Sequence, residues 1–423
     1  MRNRHWGDAR HRAIGAAVAV LGVLALLQYW LVDRRPAAPQ RKAAQEFVVT
    51  SSADDGAGSL REAIFAADSA AGRARITLRA ETVVLRSSLP PLVNPAGIVI
   101  EGAERSTEID ARALAAGPIF DVAAPNSMIR AVIVTNAPEQ AILVRADGFR
   151  LIDATVRNSD EGLSATDGIR NLVIEKTRFE NNRIGVRLAS SAPGIIVRSN
   201  VFNGHRDAAL WAVRADPSSD GESRGFTLDA NVFENDRMAL VLGNTPATIE
   251  RNEFVKSREV ALFLIGHGAI VRGNRIRGGG GIGIFADATR GSLIEANEID
   301  HNVALAVLVR SSGGALLNKN RIYDNGYGVA FVLNERGAPN VASDNVLLQQ
   351  QYDGIIVIGD SPVLRRNLAR NNGSAGLRIL TFQPLTGPAV ASRPFLDGNT
   401  LDGNTPNDVA RGVYRVTVAE STP

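Results

Sequence analysis

From about residue 76 onward, apolar and polar positions alternate with period two in short runs. Gly185-Val186-Arg187-Leu188 and Gly283-Ile284-Phe285-Ala286 are examples, and glycine or asparagine cuts each run off. Period two marks a strand with one buried face. The runs recur. Asparagine stands at 200, 231, 252, 274, 297, 320, 345, 367 and 399, and two residues after each comes an apolar side chain, from Phe202 to Leu401. A small residue opens a strand at Ala141, Gly162, Gly185, Ala209, Ala239, Ala261, Gly283, Ala306, Gly328, Gly354 and Gly376, about 23 residues apart on average.

Two columns sharing one period predict stacked coils of two or three short strands each. The expected fold is all-β, a single-stranded parallel β-helix whose inward side chains bury one another from coil to coil. A leucine-rich repeat has a similar period but needs L-x-x-L-x-L before its asparagine. Here the preceding residues are charged or small, as in IIVRSN and LIEANEI. Coils about 4.8 Å apart bring like residues together, so the asparagines read as a structural ladder, each donating to one neighbour and accepting from the other.

The N-terminus has a different pattern. Residues 13–32 form an uncharged apolar run of 20 residues, preceded by four arginines and ending at Tyr29-Trp30. That is long enough to span a bilayer of about 30 Å, and the basic flank places residues 1–12 in the cytoplasm. The expected order is a cytoplasmic tail (1–12), a transmembrane signal-anchor (13–32) and a linker (33–46). A first strand and capping helix (47–75), the β-helix coils (76–408) and a C-terminal strand and tail (409–423) follow. On this reading the chain is a single-pass protein of the inner (cytoplasmic) membrane, with its body on the periplasmic or extracellular side of a bacterial cell envelope. Cleavage of the N-terminal run as a signal peptide is the alternative.

Residues 47–68, FVVTSSADDGAGSLREAIFAAD, resemble the segment that opens many secreted bacterial right-handed β-helix proteins of the pectate-lyase-like superfamily, the CSLREA motif. The likeness continues through Ile76-Thr77-Leu78, Leu89-Pro90-Pro91-Leu92 and Ile98-Val99-Ile100-Glu101-Gly102. It implies a right-handed coil, export, and a helix from about Ser59 to Asp68 that plugs the apolar end of the core. Ser59 with Glu62 three residues on has the form of a capping box. The resemblance implies no single activity, because such helices host lyases, epimerases, hydrolases, adhesins and tail-spikes.

Composition narrows the chemistry. There is no cysteine, which removes disulfides, thiolate metal sites and cysteine nucleophiles. Eight basic and two acidic residues fall in 1–42, so 39 basic and 42 acidic residues remain in the body, which lacks the positive excess of a nucleic-acid binder. His205, His267 and His301 fall at unrelated places in their coils, so neither a metal site nor a cofactor is expected. Gly266-His267-Gly268 resembles part of the polygalacturonase motif without its Asp-Asp pair, and Asp216-Pro217-Ser218-Ser219-Asp220 resembles the Asp-Pro-His-Asp of alginate epimerases without its His. Asp229 and Glu250 are neighbours in an outward column, but Arg198 and Arg272 beside them suggest a solvated charge ladder.

The outward column two residues after the small-residue column is the informative surface. It reads Arg187, Trp211, Val241, Phe263, Phe285, Leu308, Ala330, Ile356, Arg378, and it is apolar over seven coils, about 30 Å. Insertions at 212–224 and 381–393 follow its two ends. Such a stripe marks a partner, unless loops cover it. The expected function is binding or processing of a polysaccharide, acidic polymers included, with Trp211, Phe263 and Phe285 as the platform and Arg187 and Arg378 at the ends. The alternative is a non-catalytic scaffold or accessory protein that meets another envelope protein through this face. Catalytic residues are unassigned. An enzymatic version would be a polysaccharide lyase, epimerase or glycoside hydrolase.

Overall fold

The computed structural model describes residues 44–103, 106–189, 194–213, 225–334 and 337–416. Three parallel sheets of 15, 14 and 13 strands run through them, and each full coil gives one strand to each sheet. The coil Ile270–Arg272, Arg275–Arg277, Ile282–Arg290 shows the pattern. Its strands pair in register with those of the coils before and after, except for a shift between Ile265 and His267, so equivalent residues stack in columns along the rod.

The asparagine ladder is continuous. The backbone N–H and Nδ2 of Asn252 both donate to Asn274 Oδ1, and those of Asn274 donate to Asn297 Oδ1, at 2.9–3.1 Å. Each Nδ2 also reaches back to a backbone carbonyl, as Asn274 does to Ile249 at 2.8 Å. The residue before each asparagine turns the corner with positive φ, including Ala230, Arg251, Ala296 and Lys319 at 52–55°. A side-chain-bearing residue there costs about 1–2 kcal/mol, which the ladder bonds help offset.

A second ladder runs five residues later, through Asn302, Asn325, Gln350, Asn372 and Asn404, and ends on Asp408 Oδ1. It is interrupted upstream. His205 Nδ1 lies 2.7 Å from Asp236 Oδ1, both side chains fully buried. His205 Nε2, Asp236 Oδ2 and Ser257 Oγ, on three successive rungs, have no hydrogen-bond partner among the described residues. The next rung is Gly279, with no side chain at all.

Phe179, Phe202, Phe233 and Phe254 stack inside the core at 4.7–5.1 Å. The small-residue column exists because the next coil's carbonyl comes close: a Cβ at Gly328 would lie 2.2 Å from Gly354 O.

At the start, the helix Leu60–Asp68 packs Leu60, Ala63, Ile64 and Ala67 against the first strands, Gln45–Val49 and Ala74–Leu78. Ser59 Oγ accepts from Glu62 N, while Glu62 Oε2 accepts from Gly58 N at 2.6 Å, one residue earlier than in a standard capping box. Arg61 binds Asp54 Oδ1 at 2.8 Å and the Ser87 and Ser88 carbonyls, tying the helix to the next turn. Burial pushes the Asp54 carboxyl up. Hydrogen bonds from Arg61, Arg86 N and Ser87 outweigh it and hold the group below the ordinary aspartate range.

The expected transmembrane helix is corrected. Among the described residues no helix is long and apolar enough to cross a membrane. The helix at Leu60–Asp68 has nine residues, about 13.5 Å, less than half a bilayer. Residues 13–32 lie outside the described residues. The fold class is therefore an all-β parallel solenoid with a short N-terminal helix. A membrane anchor, an inner-membrane or cell-envelope location and the membrane as a partner have no helix to rest on within residues 44–416.

Asn274→Ala removes an oxygen that serves two buried donors of Asn252; Nδ2 keeps the Leu228 and Glu250 carbonyls, and the backbone N–H is left unpaired. The expected loss is about 1–3 kcal/mol in urea unfolding, against under about 1 kcal/mol for Asn399→Ala at the half-exposed end of the ladder.

Candidate functional site

The third sheet carries the outward stripe. Arg187, Trp211, Val241, Phe263, Phe285, Leu308, Ala330, Ile356 and Arg378 are partners in unbroken register. The apolar surface is wider than one column. Met238, Val260 and Ile282 align on one side, and Val332, Ile358 and Leu380 on the other. The part of the first insertion that would test its covering the stripe, 214–224, lies outside the described residues. That segment includes Asp216–Asp220. The second insertion folds back on itself: Phe382 and Val390 exchange two backbone hydrogen bonds of 2.8–2.9 Å. It borders a different cavity, of about 260 Å³, with Asn334, Gly359 and Asp360.

The aromatic side chains are not arranged as a flat platform. Phe263 and Phe285 stack on each other along the rod, centroids 4.9 Å apart and 20° from parallel. Arg310 covers Phe285 at 4.8 Å, and Arg187 lies over Trp211 at 6.0 Å. Much of the ring surface that would stack on a pyranose is thus already in contact with protein.

The arginines on this face are paired. Arg187 Nε binds Glu161 Oε1 at 2.6 Å. Arg310 binds both oxygens of Asp287 at 2.6–2.9 Å. Arg378 binds both oxygens of Asp353 at 2.8 Å and Ser374 Oγ at 2.7 Å. The hydrogen bonds it donates to Asp353 raise the Arg378 pKa above its ordinary value, so the charge is fixed.

One groove deepens the stripe. It has a volume of about 460 Å³ and lies over Leu308, Ala330 and Ile356, with Tyr327, Tyr352 and Tyr414 on its walls and the Asp353–Arg378–Ser374 cluster in it. Tyr327 and Tyr352 stack at 4.7 Å. Of the five residues expected to bind the polymer, only Arg378 lines this groove, beside Leu308, Ala330 and Ile356 of the same column. Arg187 and Trp211 border a separate cavity of about 320 Å³ with Arg183, Asp207 and Arg237, and Phe263 and Phe285 lie between the two. Tyr327 and Tyr352 escape the sequence columns because they sit one and two positions ahead of Gly328 and Gly354, and Tyr414 lies on the last strand, Val409–Arg415, beyond the small-residue column.

Asp229 and Glu250 are neighbours in the first sheet. Arg251 holds Asp229 at 2.6 Å, and Arg272 lies between Glu250 and Glu295. This is an ion-pair ladder. On the second sheet Tyr323 donates to Glu298, and that hydrogen bond pushes its phenol up to about 12. His301 Nδ1 is 2.6 Å from Asp300. No three His, Asp or Glu side chains among the described residues gather to hold a metal.

The family model described as "Right handed beta helix region" matches residues 218–373. The fold is a right-handed parallel β-helix. Solved β-helices similar to it include the Dettilon tailspike protein gp208, with TM-score 0.49, 13% identity, and coverage of 86% of this chain and 66% of that one. The chain thus spans just under two thirds of that protein's length. The periplasmic alginate epimerase AlgG gives TM-score 0.41 and 15% identity over 77% of this chain and 78% of that one. The A-module of the Azotobacter vinelandii mannuronan C-5 epimerase AlgE6 gives 0.46 and 14% over 85% and 94%. The likeness is one of architecture and assigns this β-helix no activity. No curated protein matches it in sequence.

Burial raises the Asp360 pKa, against hydrogen bonds from Asn340, Ser361 N and Asn334. A carboxyl raised in the folded state contributes stability that is present below its unfolded pKa and lost as pH rises through the folded value. The stability of Asp360→Asn relative to the native chain should therefore increase between pH 4 and pH 7 in urea unfolding. A flat or falling difference would contradict the assignment.

Proposed function

We propose that the β-helix binds a polysaccharide along the third sheet, with its main seat in the groove of Tyr327, Tyr352, Tyr414 and Arg378. The observation that carries this is the combination within one cleft of an apolar floor, three phenols and one fixed polar cluster. A glycan offers the complement: C–H faces for the floor, and hydroxyls for the phenols and for Asp353, Arg378 and Ser374. The stripe from Trp211 through Phe263 and Phe285 leads into the groove, and Arg187 marks its far end. An elongated face of identical steps suits a linear polymer.

We also infer that residues 47–68 form a cap of the CSLREA kind. Its support is that Asp54, Ser59, Arg61 and Glu62, all within the motif-like stretch, make the bonds that hold the helix over the first coil.

The second reading is a non-catalytic scaffold or accessory protein. The stacking of Phe263 on Phe285, with Val260 and Ile282 beside them, favours it, because such a surface also suits an apolar protein partner.

Affinity electrophoresis of the full chain through gels carrying neutral and acidic polysaccharides tests the first reading. Retardation by at least one polymer is expected. Tyr352→Ala should weaken it about 5–10-fold, the equivalent of about 1–1.4 kcal/mol, and Trp211→Ala should weaken it less. Retardation unchanged in both variants would remove this face as the site. No retardation by any polymer would turn the assignment to the scaffold.

A further inference from the structure

We infer that the ligand of this face is an uncharged glycan carrying apolar substituents, acyl esters or the methyl groups of deoxy sugars. The inference rests on the polysaccharide reading and goes further, to the class of polymer.

Two observations carry it. The first is electrostatic. A polyanion is held by cations with charge to spare, yet Arg187, Arg310 and Arg378 are each matched by a carboxylate within 2.9 Å: Glu161, Asp287 and Asp353. The match at Arg310 and Arg378 is bidentate. A sugar carboxylate would have to displace a partner already in place, and at Arg378 that partner is buried, its side chain only 6% exposed. Displacing it would leave a buried carboxylate without its cation. The arginines of the stripe thus have no charge to spare, and a neutral polymer is its complement.

The second observation is the width of the apolar surface. A plain polyhydroxylated chain shows narrow C–H patches surrounded by hydroxyls, and two or three aromatic faces are enough to meet them. Here the ring faces are engaged by neighbours, and the surface beyond them is aliphatic. Leu308 and Ile356 form the floor of the groove, with Val332, Ile358 and Leu380 along one side. Sugar hydroxyls laid on that surface would lose water without gaining partners. Methyl and acetyl groups would gain from the same burial, each buried carbon contributing favourably. The polar cluster Asp353–Arg378–Ser374 then fixes orientation through hydroxyl or ester carbonyl oxygens at one end of the groove.

The test uses the full chain and matched polymers: acetylated glucomannan before and after alkaline deacetylation, dextran before and after chemical acetylation, and polygalacturonate. Titration calorimetry should show the acetylated member of at least one neutral pair bound 10-fold or more tightly than its plain form. That affinity should change less than about twofold between 50 and 500 mM NaCl. The double variant Leu308→Ser/Ile356→Ser should erase the preference while keeping the circular dichroism spectrum of the native chain. The single variant Ile358→Ser, at the groove wall, should reduce the preference severalfold if the double variant does not fold. Equal binding within both neutral pairs, preference for the plain forms, or tightest binding of polygalacturonate would overturn the inference and leave the polysaccharide reading standing. Binding of none of the polymers would overturn both.

Discussion

A carboxamide turned into an apolar core must find its donors and acceptors there, and in this protein it finds them one coil away. That requirement governs the rest of the architecture. It keeps the coils in phase, because Asn274 can serve Asn252 and be served by Asn297 only if all three corners superpose. It also makes the strained corner tolerable. Residues with positive φ precede every rung, and several of them are alanine, lysine or arginine, which gain nothing from that conformation by themselves. Once the corners superpose, the third sheet holds its outward residues in straight files, and a continuous surface follows.

The same stacking that aligns the outward residues also shapes the chemistry they can perform. When like residues repeat at the coil spacing, rings lie face to face with their own equivalents, as Phe263 and Phe285 do, and charges pair with the next coil's counter-charges, as Arg187 does with Glu161. Interactions that would otherwise await a ligand are satisfied along the rod. Departure from strict repetition makes a site. The groove arises where Ala330 takes the place of a large side chain and Tyr327 and Tyr352 rise beside it, with Asp353 supplying the only carboxylate of that cleft among the described residues.

The two columns read from the sequence carried the repeat, its parallel pairing and the role of the nine asparagines, because each reports a local requirement that recurs at fixed spacing. The outward file from Arg187 to Arg378 was legible for the same reason. The second ladder, five residues after the first, did not stand out in the sequence, because its mixture of Asn, Gln, His, Asp, Ser and Gly hides the period. The groove was not legible. Its phenols occupy different offsets in adjacent coils, and the partners of Arg187 and Arg378 lie 26 and 25 residues away, where no motif connects them. The apolar run at 13–32 lies outside the described residues, and the helix Leu60–Asp68 among those described is too short to cross a membrane.

The break in the second ladder makes the rod uneven. In a solenoid, each coil's stability is its own plus its coupling to two neighbours. Between Asp236 and Gly279 that coupling loses one file of side-chain bonds, and His205, Asp236 and Ser257 each hold a buried orphan atom. Cooperativity should be weakest there. Mechanically this is a seam: under load or heat, the segment bearing the helical plug and the segment bearing the tyrosine groove can part company before either one melts.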